Sequence, residues 1–159
     1  MKSSKGSLKG LDWANVFMAD VKDGVGVYLS VYLLTVKDWQ PDEIGLVIAV
    51  PGIVGIIAQP PAGALIDRSK YKRHLLMFAS AIIAVCCLVV ILSSSFFPIF
   101  LSQAMVGLVQ SVYSPCVAAI SLGMVGHAFL SRRIGRNEGF NHLGNMVAAI
   151  MAGLIGRFI

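Results

Sequence analysis

Apolar residues occupy long, nearly unbroken blocks of this chain, and polar residues are confined to short gaps between them. The blocks predict helical spans over about 13–34, 42–66, 75–92, 99–125 and 140–159. Each is near the ~20 apolar residues that carry a helix across the hydrocarbon core of a bilayer. The gaps are too short to hold a domain, so consecutive helices must form tight hairpins. The most informative gap lies in the run Gly63 to Arg73, which joins the second block to the third. It holds Asp67, Arg68, Lys70, Lys72 and Arg73. The pattern predicts an all-α integral membrane protein, with a polar basic tail over residues 1–10 and a bundle over 11–159.

Local signals refine the elements. Trp13 and Trp39 flank the first block and read as interfacial anchors at opposite faces of the membrane. Asp42 is placed to cap the second helix. Pro51, Pro60 and Pro61 fall inside that helix and Pro115 inside the fourth, where prolines kink helices. Small residues recur every three or four positions at Gly45, Ala49, Gly52 and Gly55, and again at Ala148, Ala152 and Gly156. Such rows let helix backbones approach closely in lipid.

Composition agrees with the pattern. The chain is 57% hydrophobic and 13% charged, whereas soluble domains carry about 25% charged residues. The net charge of +5 resides in the gaps and does not form the basic, aromatic-interleaved surface of a nucleic-acid binder. Cys86, Cys87 and Cys116 lie inside apolar blocks and read as small packing residues, with no disulfide framework or metal-ligand spacing. No catalytic constellation, phosphate-binding loop or cofactor motif is present, so an enzyme is not expected. The basic residues are distributed unevenly. Lys2, Lys5, Lys9, Arg68, Lys70, Lys72, Arg73, Arg132, Arg133 and Arg136 fall on one side, against Lys37 and Arg157 on the other. This bias places the N-terminus in the cytoplasm, and a bacterial inner membrane is the expected location.

Polar groups inside the spans are the candidate chemistry. Asp20 and Asp23 are three apart and share one face of the first helix. An intramembrane carboxylate is costly and by default functional, so both are candidates for a solute or proton pathway. A purely structural alternative pairs them with Lys22 or with donors on later helices. Gln103 and Gln110, seven apart, share a face of the fourth span. His142 and Asn145, with Asn141, form a polar stripe at the start of the fifth. Each can line a cavity or bond one helix to the next. Arg132, Arg133 and Arg136 read mainly as topology signals, with contacts to anionic lipid.

At the second gap the chain resembles the major facilitator superfamily. The run matches the family signature G-x-x-x-D-R-x-G-R-R at Gly63, Asp67 and Arg68, and Lys72 fills the last basic place. Lys70 and Tyr71 depart from it. In the fourth span Gln103 to Gly107 stands where the family often has R-x-x-Q-G; Gly107 matches and Gln103 replaces the arginine. Gly144, Gly153 and Gly156 loosely resemble a glycine-rich motif of the drug-antiporter branch, without its Gly-Pro pair. The resemblance implies an N-terminal six-helix bundle, here one span short, within a protein of two such halves. It implies secondary transport of a small solute by alternating access, with proton coupling left open. It further implies that Asp67 gates the cytoplasmic side. The lipid bilayer, a solute and a missing C-terminal half are the expected partners. The rival expectation is a truncated half-transporter, inactive alone or dependent on a partner chain.

Overall fold

The computed structural model describes residues 5–19 and 25–156, and they are helical almost throughout. The helices are α1 (Lys5–Ala19), α2 (Val25–Thr35), α3 (Pro41–Arg68), α4 (Lys72–Leu92), α5 (Phe96–Val125) and α6 (Leu130–Gly156), with a 3-10 turn at His127–Phe129. Among the described residues α3, α4 and α5 are long and apolar enough to cross a membrane. Large apolar side chains along them point outward, among them Ile56, Ile57, Phe78 and Leu92. A soluble protein would bury many of these; a bilayer solvates them. The protein is an all-α, multi-pass membrane protein, and α6, with 27 residues, is also long enough to span.

The helix ends follow local chemistry. Pro41 is the first residue of α3 and Gln40 is the cap, so Asp42 lies within the first turn rather than at the cap. The fixed φ of proline is suited to a helix start, and Asp42 and Glu43 then face the positive end of the helix dipole. Pro51, Pro60 and Pro61 all lie within α3, which remains one helix. At the other end of α3 the Ser69 N–H donates to Leu65 and Ile66 carbonyls. Gly126 adopts φ 72°, a left-handed conformation that glycine enters without penalty, and the chain turns there from α5 toward α6. Leu130 to Glu138, expected as a loop, is helical.

The chain divides into two compact units, Met1–Val25 with Ser121–Ile159, and Gly26–Ile120. Within the second, Leu29, Leu33, Trp39, Ile44, Val47, Val90 and Ile99 form a buried apolar cluster. In α4 the buried positions Ala79, Ile83, Cys86 and Val90 recur at three and four, a single helical stripe facing protein. Trp39 is not an exposed belt anchor. Its ring packs on Phe96 at 5.7 Å, and its indole N–H donates to the Ser94 carbonyl. Lys37 Nζ donates to the Ile91 carbonyl and to Ser94 Oγ, so the 36–40 loop is tied to the turn after α4. Farther along α4, Ser80 and Tyr113 share a hydroxyl–hydroxyl bond of 2.8 Å.

The small-residue row of α3 is used at one place. Gly55 approaches the Gly107 carbonyl of α5, while Gly45 and Gly52 face open space. All three cysteines are unpaired thiols.

Candidate functional site

In α1, Leu8, Asp12, Asn15 and Ala19 recur at four, three and four residues and so share one face. That face lies on α6. Asp12 is buried, and its carboxylate is held by two arginines of α6. Arg133 Nη2 lies 2.8 Å from Asp12 Oδ1 and donates also to the Leu8 carbonyl at 3.2 Å. Arg136 binds as a fork, Nη2 to Oδ2 at 2.7 Å and Nε to Oδ1 at 3.2 Å. The Arg136 guanidinium also lies over the Phe140 ring.

The two arginines are not equivalent. The side chains of Arg133 and Asp12 are each 5% exposed, whereas that of Arg136 is 57% exposed. The desolvated part of the cluster is therefore one neutral ion pair, and Arg136 adds a half-solvated second cation. Desolvation strengthens the attraction and makes either partner costly to leave alone.

Two further contacts extend the α1–α6 seam. Gly144 lies against the Val16 carbonyl, and a methyl group there would come within 2.8 Å of the Ala19 Cβ. One turn beyond Arg133, buried Asn137 donates from Nδ2 to Ser121 Oγ at 2.8 Å. Hydrogen bonds thus run from α6 both to α1 and to the last turns of α5.

None of these polar contacts was singled out from the sequence. Asp12 stands just before the first apolar block, where the sequence gives it no partner. A signal does exist: Asp12 is on the same stripe as apolar Leu8 and Ala19, and Arg133 and Asn137 repeat at four. The residues that were singled out are distributed otherwise. Asp20 and Asp23 lie outside the described residues. Gln103 is buried in α5. Gln110 is half-buried and makes an interaction of its own. His142 is exposed, and Asn145 is half-buried and likewise engaged. The two glutamines belong to one compact unit and His142 and Asn145 to the other. A shallow apolar groove of about 280 Å³ is lined by Ser30, Val31, Leu34, Pro41, Ile44 and Gly45, and by none of these candidates.

The hinge joins the end of α3 to the start of α4. Gly63, Asp67 and Arg68 lie in the last turns of α3, with Asp67 and Arg68 exposed. Lys72 Nζ donates to the Ser69 carbonyl at 2.7 Å, where a cation meets the negative end of the α3 dipole. The sequence model of the Major Facilitator Superfamily matches residues 13–159. The chain belongs to the major facilitator superfamily. Two relatives, both described as uncharacterized MFS-type transporters of Mycobacterium tuberculosis and taken from two strains, are each 45% identical over 150 residues. The match covers 94% of this chain and 36% of each relative. No solved structure matches the chain.

Within this superfamily the hinge acquires a specific physical oddity. Asp67 sits in the final turn of α3, where the dipole disfavours a carboxylate. Among the described residues the ion pairs are those of Asp12, so no ion pair there offsets the position of Asp67.

Proposed function

We propose that this chain is the N-terminal portion of a secondary transporter that moves a small solute by alternating access. The observation that carries the reading is the family match over residues 13–159, together with relatives described as MFS-type transporters. The same membership supports a transporter rather than an enzyme. Asp20, Asp23, Gln103, Gln110, His142 and Asn145 are the proposed contributors to the solute and proton pathway. Gly63, Asp67, Arg68 and Lys72 form the proposed gate. Asp67 gains nothing from α3 itself, which supports a partner for it beyond that helix. The uneven distribution of lysine and arginine supports a cytoplasmic N-terminus, and the mycobacterial relatives support a bacterial inner membrane.

A second reading concerns self-sufficiency. The chain spans 36% of the length of the curated relatives it matches. Alternating access needs two bundles moving about a central site. On this reading residues 1–159 alone move nothing and require further spans or a partner chain.

Proteoliposomes separate the readings. Residues 1–159 and the whole reading frame that encodes them are reconstituted in parallel and assayed against a solute panel under an imposed proton gradient. Saturable uptake by the longer protein alone, lost in Asp20→Asn, is the expected result. Uptake by residues 1–159 alone would remove the second reading. Uptake by neither, in folded and inserted protein, would remove transport itself.

A further inference from the structure

We propose that an ordered water molecule is bound between Arg133 and Asn137 and joins the two polar clusters of α6 into one network. Two atoms point to it. Arg133 Nε and Asn137 Oδ1 are shielded from solvent and meet no hydrogen-bond partner in the protein. Buried donors and acceptors left unpaired are rare and costly. Here both occur on residues that are themselves more than nine-tenths buried. They stand four positions apart on α6, which places them on one face about 5–6 Å apart at Cβ.

The remaining chemistry restricts the occupant. Arg133 Nη2 is already committed to Asp12 and the Leu8 carbonyl, and Asn137 Nδ2 to Ser121 Oγ. Of the solvent-shielded side-chain atoms of these two residues, one N–H donor and one carbonyl acceptor remain unpaired. The occupant must accept from the first and donate to the second. Water does both and is small enough to be shared between residues four apart. The amide of Asn137 could be turned over without changing its shape, since its oxygen and nitrogen are assigned from hydrogen bonding. Its oxygen would then accept from the Ser121 hydroxyl, and its NH₂ would face the Arg133 Nε–H. Water accepts two bonds and fits that arrangement too. Chloride or a carboxylate oxygen fits only the turned arrangement. Water is thus the occupant compatible with every assignment of the site.

The consequence is structural continuity. Without the bridge, Leu8, Asp12, Arg133 and Arg136 form one cluster, and Ser121 and Asn137 another. With it, a hydrogen-bonded path runs from α1 across α6 to the last turns of α5, inside one compact unit. Coupled polar networks of this kind fix relative helix positions more firmly than their separate bonds.

The test is a crystal structure of the protein grown from a lipidic mesophase, at a resolution that shows ordered solvent. The expected result is a density peak about 2.7–3.2 Å from both Arg133 Nε and Asn137 Oδ1. In Asn137→Leu the peak should vanish while the Arg133–Asp12 pair persists. If that variant does not fold, the native map alone decides. A native map without a peak, or one with Arg133 Nε bonded directly to Asn137, overturns the proposal. So does a peak that bromide replaces with an anomalous signal, because the occupant is then an anion.

Discussion

Gly107 of α5 lies against the backbone of Pro51 in α3 so closely that a methyl group on it would sit 2.6 Å from the Pro51 Cα and 2.8 Å from its carbonyl carbon. The opposing atoms are backbone, so they cannot swing aside as a side chain would. Proline also removes one helical N–H from α3, which makes the helix locally less regular where α5 meets it. Gly107→Ala should therefore destabilise the protein by about 1–3 kcal/mol, the usual range for overpacking. Gly52 faces open space on α3, and Gly52→Ala should be neutral or stabilising by up to about 1 kcal/mol, because alanine is the better helix former. Thermal melts of the two variants in one detergent check the contrast. Equal melting temperatures would mean that the two helices are not packed at this point.

The Asp12 cluster allows a second contrast. Asp12→Ala strands the desolvated guanidinium of Arg133, and loss of one partner from a buried pair costs about 3–5 kcal/mol. Arg136→Ala leaves the Asp12–Arg133 pair intact. It removes a cation that is 57% exposed, so solvent screening limits its cost to about 0–1 kcal/mol. Chemical or thermal unfolding in detergent should rank Asp12→Ala well below Arg136→Ala. The reverse ranking would mean that Arg136 is the principal partner.

The hinge residues should separate stability from function. Lys72 caps the C-terminal end of α3 through the Ser69 carbonyl, and Lys72→Gln should lose about 0.3–1 kcal/mol of helix-end stabilisation. Asp67→Asn should leave stability unchanged or slightly raised, since the charge it removes faces the unfavourable end of the dipole. On the proposed gating role, the same change should reduce transport by the intact protein. Stability loss and transport loss of equal proportion in Asp67→Asn would instead make it a structural residue.

The legible and illegible parts of this sequence differ in physical kind. The blocks that became α3, α4 and α5 were legible because each is apolar over enough consecutive residues to span, and that signal needs no knowledge of partners. The hinge was legible because Gly63, Asp67 and Arg68 keep a fixed spacing between two spans. Asp12 and Arg133 were not, because their meaning lies in pairing across more than a hundred residues, and Asn137 was not, because its partner Ser121 lies on the preceding helix. A buried arginine and a topology-setting arginine look alike until the opposing helix is known. The row of small residues on α3 promised close packing along its length, yet of its glycines Gly55 meets another backbone while Gly45 and Gly52 face open space. Spacing shows which residues share a face, and not which face meets a neighbour. Trp39 shows the same limit, since an indole beside a loop can anchor in lipid or, as here, close over Phe96.

The orientation of the bundle makes the last prediction. Lys70, in the basic hinge, and Ser94, in the uncharged turn, are both exposed and bracket α4. That helix has 21 residues, about 32 Å at 1.5 Å each, which matches the ~30 Å hydrocarbon core. Lys70→Cys and Ser94→Cys should therefore react with a membrane-impermeant maleimide from opposite sides. The hinge carries four of the basic residues that set orientation, so Lys70→Cys should label only from the cytoplasm and Ser94→Cys only from outside. Cys86, Cys87 and Cys116 lie within α4 and α5, and their replacement by alanine removes background labelling. Reversed sidedness would place the N-terminus outside. Labelling of both positions from one side would mean that α4, despite its length and apolarity, does not cross the membrane.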